Sequence, residues 1–296
     1  MPCTDTLRVF VPLLCFSCVY TLLPCPAGRV HVRYLHEMLR ISYCIYCNVK
    51  QLNYGDTDVC NTLSAGSDGS NLGPYFELVV KPGILGDSLT YGFTPYWKTG
   101  GYCKVVDWGD GSGEDATASG TVLTHTYAAA GTYTISIKAD CYRCMFGYHG
   151  TYAPLIYDAN GNWDALGNIT DGRTMFYNCT NATLSLTSLP GGLTNGSAMF
   201  NGCRNATLPL TSLPDGLTGL VSAFSYVLLA EINLDDLTAN APEGGWTGVT
   251  SIENMFYNAG SGNSPGTVTG SRSAFLAKFP NVTNTTNAFY GTTTTA

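Results

Sequence analysis

Met175-Phe176-Tyr177-Asn178-Cys179-Thr180-Asn181-Ala182-Thr183-Leu184-Ser185-Leu186-Thr187-Ser188-Leu189-Pro190 recurs 24 residues later as Met199-Phe200-Asn201-Gly202-Cys203-Arg204-Asn205-Ala206-Thr207-Leu208-Pro209-Leu210-Thr211-Ser212-Leu213-Pro214. Weaker anchors extend the series: Met145-Phe146 before it, then Ala223-Phe224, Met255-Phe256 and Ala288-Phe289. The steps between anchor phenylalanines are 30, 24, 24, 32 and 33 residues. Two equal steps among longer ones predict a solenoid of stacked coils with insertions. Leu184, Leu186 and Leu189 stand at near-alternate spacing, which suits a short strand with one buried face. Leu-Pro then stops the strand, and Gly191-Gly192 or Asp215-Gly216 turns the chain so that Leu193 or Leu217 re-enters the core. One coil cannot enclose these side chains alone. Each is worth ~1.5–3 kcal/mol when buried, and that gain exists only where neighbouring coils stack.

A unit with a Phe, a nearby Cys and a later Leu-Pro resembles the leucine-rich repeats of BspA-like bacterial surface proteins, closely over 171–218 and more loosely over 141–170 and 219–296. The longer units leave room for insertions. Gly270–Phe279 reads as a short helix with Ser271 as its cap and Phe275 and Phe279 on one face. Solenoids usually end in polar caps, and none follows Ala288-Phe289. Either the chain continues or a partner covers that coil, self-association at the C-terminal coil included.

Ahead of the repeats, Phe76–Val80 and Tyr102–Val106 read as strands, and Gly109–Gly113 must turn tightly. Thr132–Lys138 alternates cleanly, with Tyr133, Ile135 and Ile137 on one side, and predicts a half-buried antiparallel strand. Val106-Asp107-Trp108-Gly109-Asp110-Gly111-Ser112, followed by His125-Thr126-Tyr127 and Gly131-Thr132-Tyr133, resembles the paired signatures of a PKD domain. That resemblance implies an immunoglobulin-like sandwich of the kind that serves surface and secreted proteins as a spacer or adhesive module. Asp107, Asp110, Glu114 and Asp115 raise a calcium reading, because hard cations want clustered carboxylates. Their spacing lacks the alternating ladder and terminal Glu of an EF-hand loop. Asp110 accepting backbone N–H groups within the turn is the simpler account. His125 has no nucleophile or second ligand near it and reads as a strand residue.

The front of the chain is different in kind. Seven of the twelve cysteines fall within the first 60 residues, and over residues 1–50 Arg8, Arg29, Arg33, Arg40 and Lys50 outnumber Asp5 and Glu37, although the whole chain carries −7. Val9–Leu23 has the length of a signal h-region with cleavage after Ala27. The competing reading makes residues 1 to 60 an extension outside the folded unit, with Met38 as a later start. Proline before Cys25 argues against lipidation of that cysteine.

Stacking would bring Cys179 and Cys203, each three residues after an anchor, one above the other. Coil spacing of ~4.8 Å allows a disulfide. A column of buried free thiols is preferred, because the same column holds His149, Val227, Ala259 and Thr292, mostly small or apolar. Cys44/Cys47 and Cys141/Cys144 have half-zinc-site spacing but no histidine at ligand spacing, so oxidation or burial fits them better. Seven Asn-x-Ser/Thr sequons, at Asn168, Asn178, Asn181, Asn195, Asn205, Asn281 and Asn284, follow from a Thr/Asn-rich composition. Asp235-Asp236 reads as a solvated face instead of a glycosidase pair.

Only 12% of residues are charged and the balance is acidic, against a nucleic-acid surface. Nucleotide-binding loops, nucleophile elbows and metalloprotease helices are missing from the sequence. The expectation is therefore a mainly β chain: residues 1–28 a signal segment or extension, 29–73 a linker or extension, 74–140 a PKD-like sandwich, and 141–296 a leucine-rich-repeat-type solenoid with short helical insertions. Its function is expected to be non-enzymatic binding or adhesion outside the cell or at its surface. The ligand would be a glycan or an extracellular protein. No catalytic, metal or cofactor residue, no cofactor, no nucleic acid and no membrane span is expected. A phage-fibre or envelope subunit, or an accessory piece of a secreted hydrolase, are the alternatives.

Overall fold

The computed structural model describes residues 75–147, 150–261 and 267–292, together with the backbone of 21–24, 30–33, 64–65 and 71–72. The chain divides into two compact units, 1–60 and 61–296. In the first, β1 (Thr21–Pro24) pairs antiparallel with β2 (Val30–Arg33), Thr21 opposite Arg33. The expected signal segment otherwise lies outside the described residues, as do Cys44, Cys47 and His149.

The second unit is mainly β. A two-residue pairing, β3 (Ser64–Ala65) with β4 (Asn71–Leu72), precedes two larger sheets. Their strands are β5 (Phe76–Val80), β6 (Thr90–Tyr96), β7 (Cys103–Asp107), β8 (Glu114–Asp115), β9 (Leu123–Thr126), β10 (Tyr133–Ala139), β11 (Arg143–Met145) and β12 (Ile156–Ala159). One sheet runs β12-β5-β10-β7-β8 and the other β11-β6-β9, every pairing antiparallel. Alternation places Phe76, Leu78 and Val80 of β5 and Ile135 and Ile137 of β10 in the core, where they share one apolar cluster with Tyr91, Phe93 and Leu123 of the other sheet. β11 and β12 carry the sheets past the boundary expected at residue 140.

β6 was not foreseen from the sequence, because Gly92 and Pro95 interrupt its pattern. Both have structural reasons. A Cβ at position 92 would come within 2.7 Å of the Leu123 carbonyl on β9. Pro95 offers no N–H, and its carbonyl is taken by the Gly120 N–H at 2.8 Å.

From Phe146 onward the anchors build one column. Successive rings lie 5.5, 5.7, 5.9, 5.3 and 5.4 Å apart through Phe146, Phe176, Phe200, Phe224, Phe256 and Phe289. The backbone repeats with them. Phe146, Phe176, Phe200, Phe224 and Phe256 each donate an N–H, at 2.8–3.0 Å, to the carbonyl preceding the next anchor. Five residues before an anchor the coils touch through parallel bridges, Asp171–Asn195–Gly219 and Ser251–Asn284. Side chains at this position close a local turn: Asp171, Asn195, Ser251 and Asn284 each accept the N–H two residues on. Two left-handed residues then bracket each anchor from Phe176 on, two before and two after: Thr174/Asn178, Ala198/Gly202, Ser222/Tyr226, Asn254/Asn258 and Asn287/Gly291.

The leucines are buried as expected, but the segment 184–189 is not a strand. Leu184 and its repeat Leu208 both adopt positive φ, 28° and 47°, which breaks the extended run. The long steps hold the insertions. β13 (Glu231–Asn233) pairs in parallel with β14 (Thr267–Thr269). α1 (Leu234–Ala239) and α2 (Arg272–Leu276) follow these strands, and the Ser271 hydroxyl caps α2 by accepting the Ala274 N–H at 3.2 Å. Phe275 and Phe279 pack on Trp246 with ring centroids at 6.2 and 4.9 Å. Among the described residues no helix is long and apolar enough to cross a membrane.

Candidate functional site

The tight turn after β7 ties the two quoted motifs together. Asp107 Oδ1 accepts the Gly109 and Gly111 N–H groups at 2.7 and 3.0 Å, and Asp110 Oδ1 accepts the Ser112 N–H at 3.1 Å. Asp110 Oδ2 meets His125 Nε2 at 2.7 Å, while the imidazole stacks on Trp108 at 5.1 Å. Tyr127 donates its hydroxyl to the Trp108 carbonyl at 2.9 Å. His125 is thus a strand residue with a definite partner, which its position in the sequence did not reveal. The Ser112 hydroxyl donates to Asp110, not to His125, so the three side chains do not form a Ser–His–Asp relay. That bond, helped by His125, holds the Asp110 carboxyl at about 2 against the cost of burial.

The four acids of the calcium reading divide between two jobs. Asp107 and Asp110 serve the turn, whereas Glu114 and Asp115 form the exposed edge strand β8, where Asp115 lies 3.7 Å from the Lys104 ammonium. Asp235 and Asp236 occupy the first turn of α1, and Asp235 Oδ1 accepts the Ser271 N–H. Among the described residues no three His, Cys, Asp or Glu side chains are placed to hold a metal ion. Cys179 and Cys203 are buried free thiols, with the Cys203 thiol donating to the Phe176 carbonyl at 2.8 Å. Val227 and Ala259 are buried at the same position in their coils.

Two recesses lie where the first coils meet the sheets. One cleft of about 310 Å³ is bordered by Trp163, Asp164, Asn168, Pro190 and Gly192. A second recess of about 180 Å³ is bordered by Lys98, Asp140, Cys141, Asn168 and Thr170. Asn168 belongs to both, so the two adjoin. Trp163 is fixed as a wall, its indole N–H donating to the Ser188 carbonyl at 3.1 Å.

A column of side chains leads away from that recess. Six residues before each anchor stand Asp140, Thr170, Thr194, Thr218, Thr250 and Thr283. The last four are exposed. Thr194 and Thr218 donate their hydroxyls to the carbonyl of the threonine one coil earlier, at 2.9 and 3.1 Å. Each hydroxyl oxygen keeps acceptor capacity for a ligand. Beside the recess, Arg173 and Arg143 hold the Asp171 carboxyl below the usual range although burial opposes them. The Met-Phe anchors reveal the repeat without this threonine, which recurs once in each coil from Thr170 on. The signal was there, in the constant offset from the anchor.

Comparison with protein-family models, with curated proteins and with solved structures finds no match to the chain.

Proposed function

We propose that this chain is a non-enzymatic binding protein of the cell surface or the secreted fraction. In this reading a PKD-like, immunoglobulin-like sandwich anchors one end of a leucine-rich-repeat-type solenoid of BspA-like kind. The solenoid presents the threonine column, and the adjoining cleft, to a glycan or an extracellular protein. The observation that carries it is the coincidence of two registers. The phenylalanines stack in one column, buried from Phe146 to Phe256, and the threonines six before Phe200, Phe224, Phe256 and Phe289 are exposed.

The chemistry of that face selects the ligand class. Its groups are neutral hydroxyls and amides, suited to many weak hydrogen bonds along an extended partner. An acidic chain with few cations gives a polyanion little to bind.

The test is a screen of the full chain against glycans and extracellular-matrix proteins, followed by titration of the best ligand. Replacing Thr194 and Thr218 together by Glu should weaken binding at least tenfold while leaving the far-UV spectrum unchanged. Unchanged affinity in the double variant would remove this face from the proposal, and turnover of a screened glycan would replace binding by catalysis.

A further inference from the structure

Three buried thiols meet behind the second recess. Cys103 belongs to β7 and Cys144 to β11, strands of different sheets, while Cys141 lies between them just beyond β10. In the β7–β10 ladder Cys103 stands opposite Ala139, so Cys141, two residues further, falls on the same side of the strand as Cys103. The chain stays close at this point: the Asp140 N–H donates to the Tyr102 carbonyl at 2.9 Å, and the Cys141 thiol reaches the same carbonyl at 3.6 Å. The neighbouring Cys103 and Cys144 thiols favour the ionised form of Cys141 and hold its thiol below the ordinary range against burial. Of the three, only Cys141 borders the recess.

We propose that Cys103 and Cys141 are a disulfide-forming pair, with Cys141 the entry point for exchange with a small-molecule disulfide. The Cys141 thiolate attacks one sulfur of that disulfide, forming a mixed disulfide and releasing one small thiolate. The Cys103 thiol then gives up its proton and attacks the Cys141 sulfur, and the second small thiol leaves. Two protein thiols are oxidised and one external disulfide is reduced to two thiols.

The partner is Cys103, not Cys144. β11 continues extended from Arg143 through Met145, a backbone that opposes drawing Cys141 and Cys144 into a small ring, whereas Cys103 is on the adjacent antiparallel strand, diagonal to Cys141 and opposite Ala139. The same two neighbours make Cys141 the first of the three to ionise. A bond from 103 to 141 would close the loop containing β8, β9 and β10 and fasten β7 to the start of the repeats.

Trypsin separates the three residues, placing Cys103 on 99–104, Cys141 on 139–143 and Cys144 on 144–173. The full chain is incubated with oxidised glutathione, quenched in acid, alkylated under denaturing conditions and mapped by mass spectrometry. The expected product is 99–104 joined to 139–143, cleaved by dithiothreitol, with Cys144 alkylated. Joining of 139–143 to 144–173, or alkylation of all three cysteines, would overturn the assignment. In Cys103→Ser, and in Cys103→Ala should the serine variant lose its fold, Cys141 should carry a glutathione adduct. An unmodified Cys141 in a folded variant refutes its role as the entry point.

Discussion

Ala198 sits at φ 52° at a position where the repeat elsewhere uses Thr174, Ser222, Asn254 and Asn287, all left-handed. A Cβ in that region meets the following carbonyl and costs roughly 1–2 kcal/mol, which glycine avoids at some expense in chain entropy. Ala198→Gly should therefore raise unfolding stability by about 0.5–1 kcal/mol in urea denaturation. The reverse change at the partner position, Gly202→Ala, should lower it by more than about 1 kcal/mol. There φ is 80°, and the added methyl would run into the Asn178 side-chain oxygen. Asp110 supplies a pH signature. Its folded-state carboxyl titrates at about 2, below the ordinary 3.8, chiefly because Ser112 donates to it. Stability from this group is complete above the ordinary value and drains away as pH falls from about 4 through about 2. The thermal midpoint should decline over that window, and Asp110→Asn should flatten the decline; an equal slope in the variant would contradict the role given to this carboxylate.

Within the elements, the column of rings sets the scale of the loss. Phe200 is fully buried with a ring stacked on either side, at 5.7 and 5.9 Å. Phe200→Ala should cost about 3–5 kcal/mol, the range for a large aromatic removed from a core that cannot collapse. Phe289 is only partly buried, and Phe289→Ala should cost half of that or less on the same urea curves. If the two losses were equal, the rings would not be behaving as a stack. These positions could be read from the sequence because Met-Phe recurs with a constant environment. The capping Ser271 and the alternation of β10 were legible for the same reason: each is a local rule obeyed locally. β6 and the leucine segment were not. In β6, close approach to β9 selected a glycine that hides the strand pattern, and in 184–189 a left-handed Leu184 keeps alternating burial without extended backbone. The two recesses were equally hidden, since Pro190 on one side and Lys98 on the other flank Asn168 only once the chain has folded. So was the third thiol, because Cys103 reads simply as an inward residue of β7.

At the scale of the second unit, the question is whether sheets and repeats unfold together. Phe146 decides it. Its ring stacks on Phe76 of β5 at 5.3 Å, meets Phe93 of β6 at 5.3 Å and begins the repeat column against Phe176 at 5.5 Å. Backbone bonds cross the same place, the Cys141 N–H to the Leu166 carbonyl and the Phe146 N–H to the Met175 carbonyl. In a stack where each coil touches only its neighbours, cooperativity depends on such interface contacts outweighing differences in intrinsic coil stability. With one ring shared by both cores, residues 75–292 should unfold in a single transition. Tryptophan fluorescence, reporting Trp108 among the sheets and Trp246 among the repeats, should then coincide with far-UV circular dichroism. Phe146→Ala removes the shared ring and leaves each side most of its own core. Two separated transitions are expected in that variant, with the repeats melting first because their strands are fewer. A single transition that merely shifts to lower urea would place the coupling in the backbone bonds instead of the ring. A split transition already present in the unaltered chain would show that the sheets and the column are separate cooperative units.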